Sequence, residues 1–483
     1  MTFNSWEFIL FYPIVVLLYF LLPKKLKNSL LLVASYFFYM CYQTELVLLI
    51  LGTTAVSYIT ARIIEKSQNR TVRRLLLTLT LVVCLGVLFF YKYFNFLSDS
   101  TYGIITALGG EVSLLELDLM VPVGISFYTF QTLSYVIDVY RGDIKAERDF
   151  FFYALFVSFF PQLVAGPIER PTNLMPELRA EHKFDRSNLE KGIKHMLVGF
   201  FKKVCVADIV ATHVNAVYNN VESATAPALI IATLLFAVQI YCDFSGYTDI
   251  AIGAARIMGI RLMKNFDHPY RASSIKEFWA RWHISLSGWF RDYVYIPLGG
   301  SRVGKFRHLF NLAVVFLLSG LWHGASWTFV IWGALHAIYR VVGELTASSR
   351  NNLIQKLGYT KDSLPVIAVR RVITVLLVSF AWIFFRANST SDAIALVGRL
   401  FTDWSFATLG GVLQMDTVSL LAVIAALVTM YIIDGTLTYE DGDTASPLLY
   451  DRHSYIYFVL ATVLCFALLL SKDSVSNFIY FQF

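Results

Sequence analysis

The chain has 483 residues, of which 57% are hydrophobic and 15% charged, with a mean hydropathy of +0.60 and a formal net charge of +6. Soluble domains carry about a quarter charged residues, so this composition excludes an ordinary soluble protein and defines an all-α polytopic membrane protein. The small positive excess belongs to cytoplasmic loops and gives no reason to invoke nucleic acid.

The first apolar run, residues 8–22, follows Glu7, without a basic leader or a small-residue cleavage site, and reads as a retained anchor. Apolar runs of about 17 to 25 residues can cross a bilayer, and the Lys/Arg bias of short loops orients them. Basic clusters follow the first span (Lys24, Lys25, Lys27) and the third (Arg62, Lys66, Arg70, Arg73, Arg74), which puts the N-terminus outside. Residues 75–93 return outward, and 120–139 come back to Arg141, Lys145 and Arg148.

Residues 150–163 are too short to cross, are basic on both flanks, and run into Pro161 and Pro167. They read as a re-entrant or interfacial segment, a form of backbone that survives at membrane depth only against protein or a wet cavity. Residues 169–194 form a polar, charged cytoplasmic stretch. Residues 192–217 and 226–257 form the next pair of spans, the second carrying Gln239, Asp243, Ser245 and Asp249. Polar groups at that depth line a site or bond helix to helix, and composition leaves both readings open.

Residues 267–307 are amphipathic and aromatic, suited to the cytoplasmic face. Residues 310–340 are basic at both ends, so two half-length helices meeting near Trp322 to Trp327 fit better than one crossing. A polar loop, 344–365, precedes three C-terminal spans at 372–385, 419–433 and 455–470, which leave the aromatic tail 477–483 outside. The total is about ten transmembrane helices plus re-entrant and interfacial helices. No internal repeat or linker divides the chain, so residues 1–483 form a single domain.

The chemistry concentrates between Phe278 and Gly324, where Arg281-Trp282-His283 and Gly320-Leu321-Trp322-His323-Gly324 each place a histidine after a tryptophan. If Arg307 marks the cytoplasmic boundary, sixteen helical residues carry His323 roughly 24 Å along the path inward. A neutral imidazole there can take a proton from an alcohol, and Gly320 and Gly324 would let substrate approach the backbone. His283 reads either as part of the site or as an interfacial anchor. Lys276, Arg281, Arg291, Asp292 and Arg302 nearby suit an anionic donor or lipid headgroups. The five cysteines stand singly. With no tight histidine pair, no Gly-x-Ser-x-Gly elbow and no phosphate-cradling loop, metalloprotease, hydrolase and ATPase readings lose their support, and no metal is expected.

The stretches 121–131 (VPVGISFYTFQ), 161–168 (PQLVAGPI) and 241–249 (YCDFSGYTD), with Arg281-Trp282-His283 and Gly320 to Gly324, resemble the membrane-bound O-acyltransferase family in order over about residues 120–340. The likeness is greatest to its bacterial polysaccharide O-acetylating branch, with the D-alanyl transfer branch as the alternative, and a transporter or a scaffold of a cell-envelope modification system as rivals of another kind. The resemblance implies a ring of helices around a central tunnel. Within it, His323 is the catalytic residue, His283 the second family-associated histidine, and Gln131, Gln162, Asp243, Ser245, Asp249 and Trp322 line the tunnel. It also implies acetyl-CoA as donor substrate, no bound cofactor, a polysaccharide acceptor, membrane lipid around the chain, and a separate extracytoplasmic hydrolase-like partner. The tail Phe478-Ile479-Tyr480-Phe481-Gln482-Phe483 resembles the aromatic C-terminus of a small partner in the D-alanyl system. Tyr480 reads as a transient acyl relay, helped by the acidity of a phenol, or as an aromatic anchor.

Overall fold

A computed structural model describes residues 1–42, 44–436, 438–440, 443–445 and 478–479. Apart from one antiparallel pair, Thr438–Glu440 with Asp443–Ala445, the regular structure of the described residues is helical. In chain order the helices are α1 Trp6–Leu21, α2 Lys24–Met40, α3 Val47–Lys66, α4 Arg70–Leu88, α5 Phe94–Ala107, α6 Ile125–Arg141, α7 Phe150–Ser158, α8 Pro171–Arg179, α9 Arg186–Phe200 and α10 Asp208–Tyr218. There follow α11 Ala226–Ile257, α12 Ile275–Arg281, α13 Ile284–Phe290, α14 Lys305–His323, α15 Trp327–Leu345, α16 Ala347–Lys356, α17 Leu364–Arg386, α18 Thr390–Thr402, α19 Leu409–Val412 and α20 Thr417–Thr436. Four stretches are long and apolar enough to cross a membrane: Val47–Lys66, Arg70–Lys92, Ala226–Ile257 and Leu364–Arg386.

Helix ends follow capping chemistry. The Asn69 side chain accepts from Thr71 N and Val72 N to start α4, and Asp149 accepts from Phe151 N and Phe152 N to start α7. Such caps satisfy amides that would otherwise be orphaned at a helix start. α6 begins only at Ile125, five residues later than the apolar pattern suggests. Pro122 cannot donate within a helix, and Gly124 stands at φ 76°, a left-handed conformation suited to glycine.

The described residues form two compact units, one from residues 1–196 with 248–263, the other from 197–247 with 264–483. In the first, α3 packs on α4 and α6, and α2 packs on α7. α7 breaks after nine residues into turns, as the prolines require. Glu169, the first residue of the stretch read as polar, charged and cytoplasmic, is fully buried. It accepts from Asn173 Nδ2 at 2.5 Å and Met263 N at 2.6 Å, while burial pushes its carboxyl up to about 7.

In the second unit α15 packs between α14 and α17. α14 and α15 are not half-length: each has 19 residues, about 28 Å of axis, and they meet at residues 324–326. Basic residues at both ends therefore mark a helix pair that goes and returns. The loop expected over 344–365 contains α16, and the span expected at 455–470 lies outside the described residues.

Candidate active site

His323 is the last residue of α14, and the hairpin geometry fixes where it points. Gly320 and Gly333 lie at the crossing of α14 and α15. A Cβ on Gly333 would stand 2.5 Å from the Phe316 carbonyl oxygen, and one on Gly320 would collide with that of Phe329. The two backbones touch because neither position has a side chain. The space beside Gly324 is likewise taken by the Phe329 ring. These glycines thus serve helix packing, which replaces the expectation that they admit substrate.

The buried His323 imidazole has aromatic walls. Its ring centroid is 5.0 Å from Trp322, 5.0 Å from Trp332 and 5.4 Å from Phe385. His283 completes the cluster at 6.2 Å. Trp322, one of the residues expected to line a tunnel, is buried and touches both imidazoles, its ring 5.7 Å from that of His283.

His283 comes from a different construction. It caps α13 with backbone angles of 45° and 56°, left-handed and unusual for a residue with a side chain. Strain of this kind persists where neighbours over-determine it, and here Asn265 does so. Ile284 N donates to the Asn265 carbonyl at 2.9 Å. Ser285 N and Ser285 Oγ donate to Asn265 Oδ1 at 3.2 and 2.7 Å. The imidazole is turned inward, edge-on to Phe244 at 4.7 Å and fully buried. Burial pushes its pKa down to about 3, so it is neutral at physiological pH, with one ring nitrogen able to donate a hydrogen bond and the other to accept one.

A second polar group lies in the same unit. Lys203 Nζ contacts Asp243 Oδ1 at 2.6 Å and Asp208 Oδ1 at 3.1 Å, with all three side chains almost fully buried. Asp243 Oδ2 accepts from Ile479 N at 2.7 Å, and the Lys203 ammonium stands 4.6 Å above the Phe478 ring. Phe478 also packs edge-on against Tyr247 at 5.1 Å. This cluster lines a cavity of about 420 Å³ together with Gln239, Ser326, Thr328, Phe329, Phe385 and Arg386. Phe385 is shared between the cavity and the His323 wall, and Gln239 Oε1 is buried with no hydrogen-bond partner among the described residues.

The other expected positions are distributed as follows. Gln131 and Gln162 belong to the first unit, where both Nε2 groups donate to the Phe156 carbonyl, at 2.6 and 3.2 Å. Asp249 is buried in that unit too, whereas Ser245 is buried in the second. Arg281 is held by Glu277 and the Asp267 carbonyl, and Arg291 pairs with its neighbour Asp292. Arg302 is exposed in the turn before α14, and Lys276 lines a separate groove. Tyr480 lies outside the described residues.

Sequence reasoning missed Asn265, Lys203 and Asp208. For Lys203 a signal exists, a lysine pair in the apolar run Phe200-Phe201-Lys202-Lys203-Val204, because a charge at membrane depth demands a partner or a task. For Asn265 there is none, since it acts through backbone contacts.

The profile of the membrane-bound O-acyltransferase family matches residues 144–385. The chain is 37% identical to the probable alginate O-acetylase AlgI of Pseudomonas putida, over the full length of both proteins. It is 34% identical to the peptidoglycan O-acetyltransferase of Helicobacter pylori, over 74% of this chain and 71% of that protein. It is 31% identical to the teichoic acid D-alanyltransferase of Bacillus subtilis, over 45% and 57% respectively. The chain belongs to the membrane-bound O-acyltransferase family and is an acyltransferase.

Proposed function

We propose that this acyltransferase takes an acetyl group from a cytoplasmic thioester, acetyl-CoA, and passes it through the membrane for O-acetylation of a cell-envelope polysaccharide. The observation that carries this reading is the pairing of His283 and His323, 6.2 Å apart in a buried, aromatic-walled pocket, beside a cavity rich in groups that bond hydroxyls. A neutral imidazole in such a setting acts as general base toward an acceptor hydroxyl, and exclusion of water suppresses hydrolysis of the thioester. α14 is long enough to carry His323 across most of a hydrocarbon core of about 30 Å, which suits transfer from donor on one face to acceptor on the other.

In this reading His323 is the base and His283 positions the reacting group. Arg281, Arg291, Asp292 and Arg302 meet the donor, with Lys276 at the margin. Gln239 and Ser326 belong to the acceptor side, where Asp243, paired with Lys203, holds the cavity wall. The full-length relationship to an alginate O-acetylase supports polysaccharide over teichoic acid. An extracytoplasmic hydrolase-like partner completes transfer to polymer. The anchoring of Ile479 on the cavity wall, with Phe478 packed against Lys203, is compatible with Tyr480 serving as acyl relay. A trapped acetyl adduct on Tyr480, sought by mass spectrometry of the C-terminal peptide after incubation with acetyl-CoA, tests that step. The reading as a whole is tested by His323→Ala in a producing cell: polymer O-acetylation is lost while the protein remains in the membrane at wild-type level, and retained acetylation overturns it.

A further inference from the structure

The second unit carries a groove that the acyl-transfer chemistry does not use. α15, α16, α17 and the start of α12 enclose about 1150 Å³. Its floor is apolar, and Ile338, Leu353, Leu357, Val369 and Ile373 are each more than half exposed. Side chains of this kind at a membrane protein's surface need hydrocarbon against them. The lining also carries Lys276, Arg340, Arg350 and Arg370 against one carboxylate, Glu344.

Glu344 is already engaged, bonded to Arg340 at 2.9 Å and to His308 Nε2 at 2.6 Å. Arg350 donates only to neutral oxygens, Thr346 Oγ1 and the Gly343 carbonyl, both at 2.8 Å. Arg370 donates to Asn351 Oδ1 at 3.3 Å. Among the described residues neither guanidinium has a carboxylate partner. Two arginines without a carboxylate partner in a lining of exposed apolar side chains match one chemistry, a phosphate ester joined to hydrocarbon chains. Basic pockets between helices at the membrane surface hold anionic lipid headgroups by this combination.

A soluble acyl donor fits the groove less well, because its route to the catalytic histidine is filled. Tyr339 lines the groove and packs against His336 at 5.8 Å, His336 packs against Trp332 at 4.9 Å, and Trp332 packs against His323 at 5.0 Å. Trp279 Nε1 also donates to His336 Nδ1 at 3.2 Å, tying that ring in place.

We propose that the α15–α16–α17 groove is a binding site for an anionic phospholipid, its phosphate held by Arg350 and Arg370 and its acyl chains lying along the exposed apolar side chains of α15 and α17. The site is independent of the donor and acceptor assignments. The test uses the full-length chain in detergent, titrated with dioleoyl-phosphatidylglycerol or dioleoyl-phosphatidylcholine and read by native mass spectrometry. Phosphatidylglycerol is expected to bind in clear preference to phosphatidylcholine. Each arginine removed should weaken it roughly fivefold, and Arg350→Gln with Arg370→Gln roughly 25-fold, leaving phosphatidylcholine unchanged. Val369→Trp, which fills the floor and keeps both arginines, should also release phosphatidylglycerol and serves if the double variant fails to fold. Equal binding of the two lipids, or full retention of phosphatidylglycerol in a folded variant, overturns the proposal. So does its displacement by acetyl-CoA or inorganic phosphate at millimolar concentration, which would mark a site for soluble phosphates.

Discussion

The second unit buries two polar groups under opposite rules. Around His323 and His283 the walls are Trp322, Trp332, Phe244 and Phe385, and His283 is held neutral by its surroundings. Around Lys203 the surroundings are Asp208, Asp243 and a backbone amide, and charge is kept by being shared. The first arrangement leaves a neutral imidazole among rings, its nitrogens suited to a hydrogen-bonding partner. The second spends its polarity on holding structure, since an ammonium between two carboxylates is a poor acid and a poor base. Burial alone therefore does not mark a catalytic residue. What the buried group has for neighbours decides it.

Substitutions that exchange these rules sharpen the contrast. The largest effect is expected at His323: His323→Ala should lower acyl transfer by about 10³-fold or more, in the range that a lost general base produces, in a protein that still melts cooperatively in detergent. Transfer within tenfold of wild type would mean that the aromatic pocket is not the site. Lys203→Met should do the reverse, costing about 3–5 kcal/mol of stability by leaving two carboxylates buried without their cation. Adding Asp243→Asn should recover part of that loss, and thermal melts of the single and double variants measure the coupling. If Lys203→Met melts like wild type, the charge cluster is dispensable.

His283→Asn comes next, because asparagine tolerates the left-handed backbone that other residues resist. Loss of the imidazole should reduce transfer by about 100-fold without unfolding the chain. The same residue predicts a pH effect. An exposed histidine in the unfolded chain takes up a proton near pH 6.5, whereas the buried one resists until about 3. His283 should therefore contribute about 2 kcal/mol to a fall in stability between pH 6.5 and pH 5, and His283→Asn should make the slope shallower by that amount. The smallest expected change is at Gly320→Ala, where a methyl group meets the Phe329 carbonyl and should lower stability by about 1–3 kcal/mol. Transfer should fall further than stability if His323 is displaced.

Much of the chain was legible from hydropathy. α11 spans residues 226–257 as its composition implies, because an uninterrupted apolar run has few alternatives once it lies in lipid. The basic residues at both ends of 310–340 imply two helices, and α14 and α15 are two helices that meet at residues 324–326; the half-length expected of them fails because each extends beyond the apolar run into polar sequence, to 19 residues. The histidine pair was legible as motif, since both stand after tryptophan in unusual local sequence. Its partner contacts were not. Asn265 works through the backbone on either side of His283, and Asp243 meets Ile479 across 236 positions, a distance over which local pattern carries no information.

The glycine crossing of α14 and α15 sets a limit on how this enzyme can move. Two helices in backbone contact over Gly320 and Gly333 cannot slide or rotate past one another without the Phe316 and Phe329 carbonyls colliding with the facing strand of backbone. His323 rides on one rigid clasp. The groups beside it that can turn without disturbing that crossing are the rings of Trp322, Trp332 and Phe385.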